Sequence, residues 1–352
     1  MTLKAIKTRR KKSPPKPIWD LYRDGLTQGA INKFLTCREQ FYLSVVLGWV
    51  SKQTSEPLEF GSAFHDILAK FHQKSGQVVA YGPSFTAEEE ATALTDLCDK
   101  AEHKARKGRF TAQQLEDIAL RYATLEVVLK HYLKFWADED LNRVWVKREE
   151  TFHYDCLYGP HPEFNDLTIP LRGRWDGVFR KNGLWLLETK TKGQIDEDGI
   201  QASLPFDVQT MLYNYVLWKT TGEYPAGVIY DVVRRPGLRR GASESFLNFV
   251  ARIDKDIADR PDHYFKRWKV GLSKKDLTNW EEQFLSTVLI ELEEWWGVVA
   301  LDSSGRLNYD RHFLNPNALF SRYGKCDLFR AITEKNYSGL KRLKKPFPEL
   351  RD

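Results

Sequence analysis

From residue 115 to 135, apolar side chains recur at Leu115, Ile118, Tyr122, Leu125, Val128, Leu129, Tyr132 and Phe135. That spacing belongs to one buried face of an α-helix. With Glu88-Glu89-Glu90 in an early turn, it predicts one or two long helices over 86–136. The same period in Phe64, Ile67, Leu68 and Phe71 predicts a helix over 61–74, and 28–50 also reads as helical. The pattern then turns to strands at about 144–155, 168–180, 184–191 and 227–233, with a helix carrying Met211, Leu212, Tyr215, Val216 and Trp218 before the last of them. Helices are expected again at 244–258, 274–297 and 325–335. The loop 192–205, with Gly193, Asp196, Glu197, Asp198 and Gly199, reads as a mobile segment. Helices on both sides of a short mixed sheet make an α/β (α+β) domain. The predicted layout is a basic tail at 1–20, one domain over 21–330 with a helical insertion at 86–140 and a core at 144–235, and a basic tail at 331–352. No internal repeat is present.

The strands at 168–180 and 184–191 flank Lys181-Asn182-Gly183, a hairpin turn signal. Glu188 and Lys190, two apart, share a face of their strand. If the loop is the three residues 181–183, with Gly183 in the left-handed conformation, Arg180 pairs with Leu184 and Asp176 comes opposite Glu188. A two-residue Asn-Gly loop would set Asp176 opposite Thr189 and scatter the cluster. An ordinary charged surface hairpin is the plainer reading. Against it, Glu188 ends the apolar run Leu184–Leu187, where a buried strand does not take a carboxylate without a partner.

Two carboxylates and a lysine suit a hard divalent cation, which acidifies a water and neutralises charge on a phosphate. Lys190 would orient or deprotonate the attacking water. His65 lies beside the apolar stripe of the 61–74 helix, and His72 is read as surface. Gln209 and Tyr213, four apart, share a helix face. Glu149 and Glu150 precede the strand-like Thr151–Cys156, and one of them is a candidate supporting acid.

Asp176 followed by Glu188-Thr189-Lys190 resembles the Asp…Glu-x-Lys core of the PD-(D/E)XK nuclease superfamily, and its surroundings resemble the RecB/AddB-type exonuclease branch, phage-encoded members included. Ile31–Tyr42, Gly61-Ser62-Ala63-Phe64-His65, Gln209-Thr210-Met211-Leu212-Tyr213 and Val228–Arg234 match further segments in the family's order, over roughly residues 28–330. The resemblance implies a restriction-endonuclease-like core and a metal-dependent DNA nuclease. It points to an exonuclease of recombination, repair or phage DNA processing, acting on single strands or duplex ends. By the same resemblance His65, Asp176, Glu188 and the Thr189 backbone carbonyl hold Mg²⁺ or Mn²⁺, Lys190 positions the water, and Gln209 contacts the scissile strand. Tyr213 supports Gln209 or touches DNA. Trp175, not Pro, precedes Asp176. Some relatives carry an iron–sulfur cluster on four cysteines. Here Cys37 and Cys326 fit two of those places, while Cys98 and Cys156 lie in other segments, so no cluster is expected. The alternative is a catalytically silent DNA-binding subunit, or a metal-binding accessory protein acting beside a separate helicase or recombination protein. No Gly-x-x-x-x-Gly-Lys-Ser/Thr motor signature occurs.

Charge sharpens the expected nucleic-acid contacts. The formal net charge of +6 arises in residues 1–17, which hold seven Lys/Arg and no acid and leave 47 of the 54 basic residues against 48 acids. Affinity for DNA must therefore come from local patches, with Arg234, Arg235, Arg239 and Arg240 around Pro236-Gly237 the first candidates and Lys341, Arg342, Lys344 and Lys345 the next, or from the tail. The tail reads equally as a solubilising arm. Four cysteines with no CxxC pair point to a reducing compartment, and no apolar run reaches the length of a membrane span. An intracellular, cytoplasmic protein is expected.

Overall fold

A computed structural model describes residues 16–74, 87–157, 168–299, 314–321 and 324–350. Most of the predicted basic tail at 1–20 and the start of the predicted insertion at 86 lie outside the described residues. The chain divides into two compact units, Met1–Lys52 with Asp155–Pro170 and Leu285–Asp352, and Gln53–Tyr154 with Leu171–Phe284.

The first unit begins with helix α1 (Leu21–Asp24), a short strand β1 (Leu26–Thr27), helices α2 (Gln28–Thr36) and α3 (Arg38–Phe41), a π-helical turn at Tyr42–Val46, and strand β2 (Trp49–Ser51). The single helix expected over 28–50 is interrupted at Cys37, whose backbone is extended at φ −164° and ψ 112°. Helical spacing concealed the break because Phe34 and Phe41, on either side of it, join one edge-to-face aromatic cluster with Trp19, Trp295 and Trp296. The last two of these tryptophans come from α12 (Ser286–Val299). The chain closes with strands β8 (Phe320–Ser321) and β9 (Gly324–Lys325), helix α13 (Phe329–Glu334) and β10 (Leu340–Arg342). β10 pairs antiparallel with β2, Leu340 opposite Ser51, so the segment foreseen as a tail holds a strand.

The second unit carries α4 (Glu56–Lys74), α5 (Ala87–Ala105), α6 (Ala112–Leu141), β3 (Val144–Leu157), β4 (Thr168–Arg180), β5 (Leu184–Lys192), α7 (Glu197–Ser203), α8 (Val208–Thr221), β6 (Gly227–Arg234), α9 (Phe246–Asp259), α10 (Pro261–Tyr264), β7 (Phe265–Gly271) and α11 (Lys274–Trp280). The greater parts of β3 and β4 belong to this unit. From β4 the sheet runs β5-β6-β7, and β3 pairs with β4. β4–β5 and β6–β7 are antiparallel, whereas β5–β6 is parallel. The mixed sheet flanked by helices is the α/β architecture that the alternation of periods predicted. β5 is central and covered on both faces, which accounts for its unbroken apolar run.

The stripes foreseen on α4 and α6 meet. Phe64, Ile67, Leu68 and Phe71 pack with Leu125, Val128, Leu129 and Tyr132, and with Leu94, Leu97 and Cys98 of α5. At about 1.5–3 kcal/mol for each large apolar side chain, this core fixes α4, and with it His65, against the sheet. α6 starts cleanly because Thr111 and Gln114 form a capping box.

No strand was expected at 265–271, and the reason is physical. β7 sends Arg267 inward, where it meets Asp140 at 2.8 Å and Asp231 at 3.3 Å, while Tyr132 donates to Asp231 at 2.5 Å. A charged residue at a core position hides the alternation. The segment after β5, read as a loop over 192–205, contains helix α7, capped by the Asp196 side chain. The helix foreseen at 274–297 is continuous, passing through a π-helical turn over 281–285.

Candidate metal-dependent active site

The hairpin settles the register. Arg180 lies opposite Leu184, Phe179 opposite Trp185, Val178 opposite Leu186 and Gly177 opposite Leu187. The loop is the three residues 181–183, with φ of +51° at Asn182 and +122° at Gly183, the region glycine enters without steric cost. Counting on, Asp176 comes opposite Glu188. The paired ladder itself ends at Gly177 and Leu187, and beyond it Asp176 Oδ2 takes the backbone N–H of Thr189 at 2.7 Å.

Glu188 is 1% exposed. Its Oε1 receives Lys190 Nζ at 2.5 Å and the Gln209 amide at 2.7 Å. The Gln209 carbonyl in turn accepts Lys190 at 2.9 Å, closing a three-membered ring of polar groups. Glu188 Oε2 is buried and finds no hydrogen-bond partner among the described residues. Burial first, and the Asp176 carboxylate second, push Glu188 up to about 8 against the pull of Lys190. Burial also opposes the Lys190 charge, but Glu188 and Asp176 outweigh it and hold this lysine above its ordinary range.

α4 delivers His65. Its Nδ1 lies 3.4 Å from Glu149 Oε1 and 3.6 Å from Asp176 Oδ1. Burial works against the imidazolium, yet Asp176 and Glu149 overcome it and push His65 up to about 9. Ligand atoms of His65, Glu149 and Asp176 all lie within 4.8 Å of one another, so these three could hold a cation together.

Glu149 is the residue that sequence reasoning left undecided. Of the pair it faces the cluster, with Arg174 Nε 3.3 Å from its Oε2, whereas Glu150 is paired with Lys147. Its aim has a structural cause. Trp145 lies over Gly177 of β4 and Phe152 over Gly173, where an added Cβ would come within 2.7 Å and 2.4 Å of the respective rings. Gly173 and Gly177 are four apart and share a face, yet Trp145 and Phe152 are seven apart and would oppose each other on a regular strand. One extra residue must lie between them, and Glu149 has φ +47°. This is a β-bulge, a device that re-aims a side chain. Burial along the strand carries the same shift: buried positions are odd-numbered before Glu149 and even-numbered after it, whereas the apolar run Val144-Trp145-Val146 hides it in the sequence.

The other candidates have different surroundings. Tyr213 is buried, meets the Arg174 backbone N–H and packs edge-on against Phe152; burial, then Glu188 and Asp176, raise its pKa. Arg234 Nε donates to the His263 carbonyl. Arg235 pairs with Glu56 at 2.7 Å. His72, foreseen as surface, is half-buried and accepts from Arg148.

A family model described as the PD-(D/E)XK nuclease superfamily matches residues 25–295. The chain belongs to this superfamily. No curated protein matches. Among solved structures, one titled "Crystal structure of SSO0001" is similar at 13% identity and a TM-score of 0.26, over 71% of this chain and 91% of that one, a likeness too slight to argue from. For a PD-(D/E)XK nuclease the donor set fits a divalent metal. The carboxylates of Glu149 and Asp176 converge with the imidazole of His65, and the neighbouring Glu188 keeps a buried Oε2 with no hydrogen-bond partner among the described residues, an acceptor left in want of a donor or a cation. Among the described residues no helix is long and apolar enough to cross a membrane.

Proposed function

We propose that this protein is a Mg²⁺- or Mn²⁺-dependent deoxyribonuclease. In this reading it is an exonuclease of the RecB/AddB-like kind, acting on single strands or duplex ends in DNA recombination, repair or phage DNA processing. The observation that carries the proposal is the closed ring of Glu188, Lys190 and Gln209 beside Asp176, with one buried carboxylate oxygen left over. Such an arrangement is costly unless a cation completes it.

His65, Asp176, Glu188 and the Thr189 carbonyl would hold the metal, with Glu149 as a further donor. When bound, the metal acidifies water and offsets charge on the phosphate. Lys190 then holds the water by donating to it, with its ammonium kept charged by Glu188. Gln209 fixes both Glu188 and Lys190 and faces the scissile strand. Asp176 locks β4 to β5 through Thr189.

The test is degradation of end-labelled linear DNA, single- and double-stranded, beside a closed circle, with Mg²⁺, Mn²⁺ or EDTA. Metal-dependent loss of the linear substrates, abolished by Lys190→Ala, is expected, and the label reports polarity. A wild type that leaves every substrate intact yet shifts it on a gel would establish the silent DNA-binding subunit instead.

A further inference from the structure

β4 alternates cleanly around the site. Leu171, Gly173, Trp175 and Gly177 are buried, whereas Arg172, Arg174 and Asp176 are half-buried on the opposite face. That face therefore reads Arg-Arg-Asp, in steps of about 6.6 Å. On β3, beyond the bulge, Thr151 is half-buried and His153 exposed, so hydrogen-bonding side chains also line the neighbouring strand. The two arginines thus form a row ending at the carboxylate that faces His65.

We propose that Arg172 and Arg174 are a phosphate-tracking row that leads a single nucleic-acid strand along β4 to Asp176. The proposal deepens the nuclease reading and rests on it. Two-residue steps along a strand are close to the spacing of successive phosphates in a stretched polynucleotide. Guanidinium groups recognise phosphate through paired, charge-assisted donors. Arg174 also joins the row to the metal-holding cluster, because its Nε faces Glu149 Oε2 at 3.3 Å. The body of the chain is nearly neutral, so a short row beside the scissile position is how it would grip a backbone without a broad basic surface. The row reads no base. Its ligand is the sugar–phosphate backbone of an unpaired strand of any sequence.

The test measures binding of a fluorescent oligothymidylate by anisotropy in EDTA, over a range of NaCl. For single strands the slope of log K against log salt is about −0.7 for each phosphate neutralised. Arg172→Gln should flatten the slope by about 0.7, and Arg172→Lys should restore it. Arg180→Gln, on the same strand but beyond Asp176 at the hairpin end, should keep the wild-type slope. Matching circular dichroism spectra and melting temperatures show that the variants are folded. A wild-type slope in Arg172→Gln overturns the row; if the unmutated protein still cuts DNA, the nuclease reading stands. A flattened slope in a protein that cuts nothing in Mg²⁺ or Mn²⁺ keeps the row and removes the nuclease. A wild type that neither binds nor cuts removes both.

Discussion

The carboxylate of Asp176 is divided between two duties: Oδ2 accepts the Thr189 backbone N–H at 2.7 Å, and Oδ1 faces His65 Nδ1 at 3.6 Å. An asparagine can keep the first and lose the second, because its carbonyl can still accept from Thr189 while its amide repels a cation. Asp176→Asn is therefore expected to fold and to lose metal binding. Saturating Mn²⁺ should stabilise wild type by about 2.7 kcal/mol at a hundredfold excess over its dissociation constant, reversibly with EDTA. The variant should melt at one temperature in both. Equal shifts for the two proteins would remove Asp176 from the metal.

In the proposed mechanism Lys190 and Gln209 act on the water and the strand rather than on the metal. Lys190→Ala should lower the rate of DNA hydrolysis by at least about 10²-fold while a metal-induced melting shift persists. Gln209→Ala should lower it less, since Lys190 and Glu188 still meet directly. Initial rates on end-labelled DNA check both. A fully active Lys190→Ala would place the chemistry elsewhere.

The bulge at Glu149 should show a conflict between stability and activity. Glycine relieves the left-handed backbone, worth about 1 kcal/mol, and removes a buried acid whose pKa is raised by burial and by Asp176. Glu149→Gly is expected to melt higher than wild type in EDTA and to cut DNA more slowly. A lower melting temperature would show that the carboxylate, rather than the backbone, dominates at this position.

At Gly173 the expected change is purely steric. An added methyl would come within 2.4 Å of the Phe152 ring and 2.8 Å of Tyr213. Overpacking of this kind costs about 1–3 kcal/mol, so Gly173→Ala should lower the denaturant midpoint and displace β3, with it Glu149. An unchanged midpoint would mean that Phe152 can swing aside.

Much of this was legible in the residues, for reasons that can be named. The turn Lys181-Asn182-Gly183 announced the hairpin but left two loop lengths open; the three-residue loop found in the structure decides the pairing of β4 with β5. The stripe of α6 was plain because its partners on α4 repeat at the same spacing. The break at Cys37 was hidden, since Phe34 and Phe41 serve one aromatic cluster despite it. β7 was hidden by Arg267, a charge admitted to the interior by Asp231, Tyr132 and Asp140. Glu149 could not be chosen over Glu150 because the choice depends on a dihedral angle, not on residue type.

That dihedral angle makes β3 two strands in one, out of step by a single residue. Any comparison with a relative that follows the apolar pattern from Trp145 forward will misplace Phe152, and one that works back from Phe152 will misplace Trp145. A homologue with one residue fewer here would present a different side chain to His65. Deleting Glu150 should therefore leave the core of each half intact while turning the strand's acid away from the histidine, which makes the length of β3, as much as its composition, a determinant of this site.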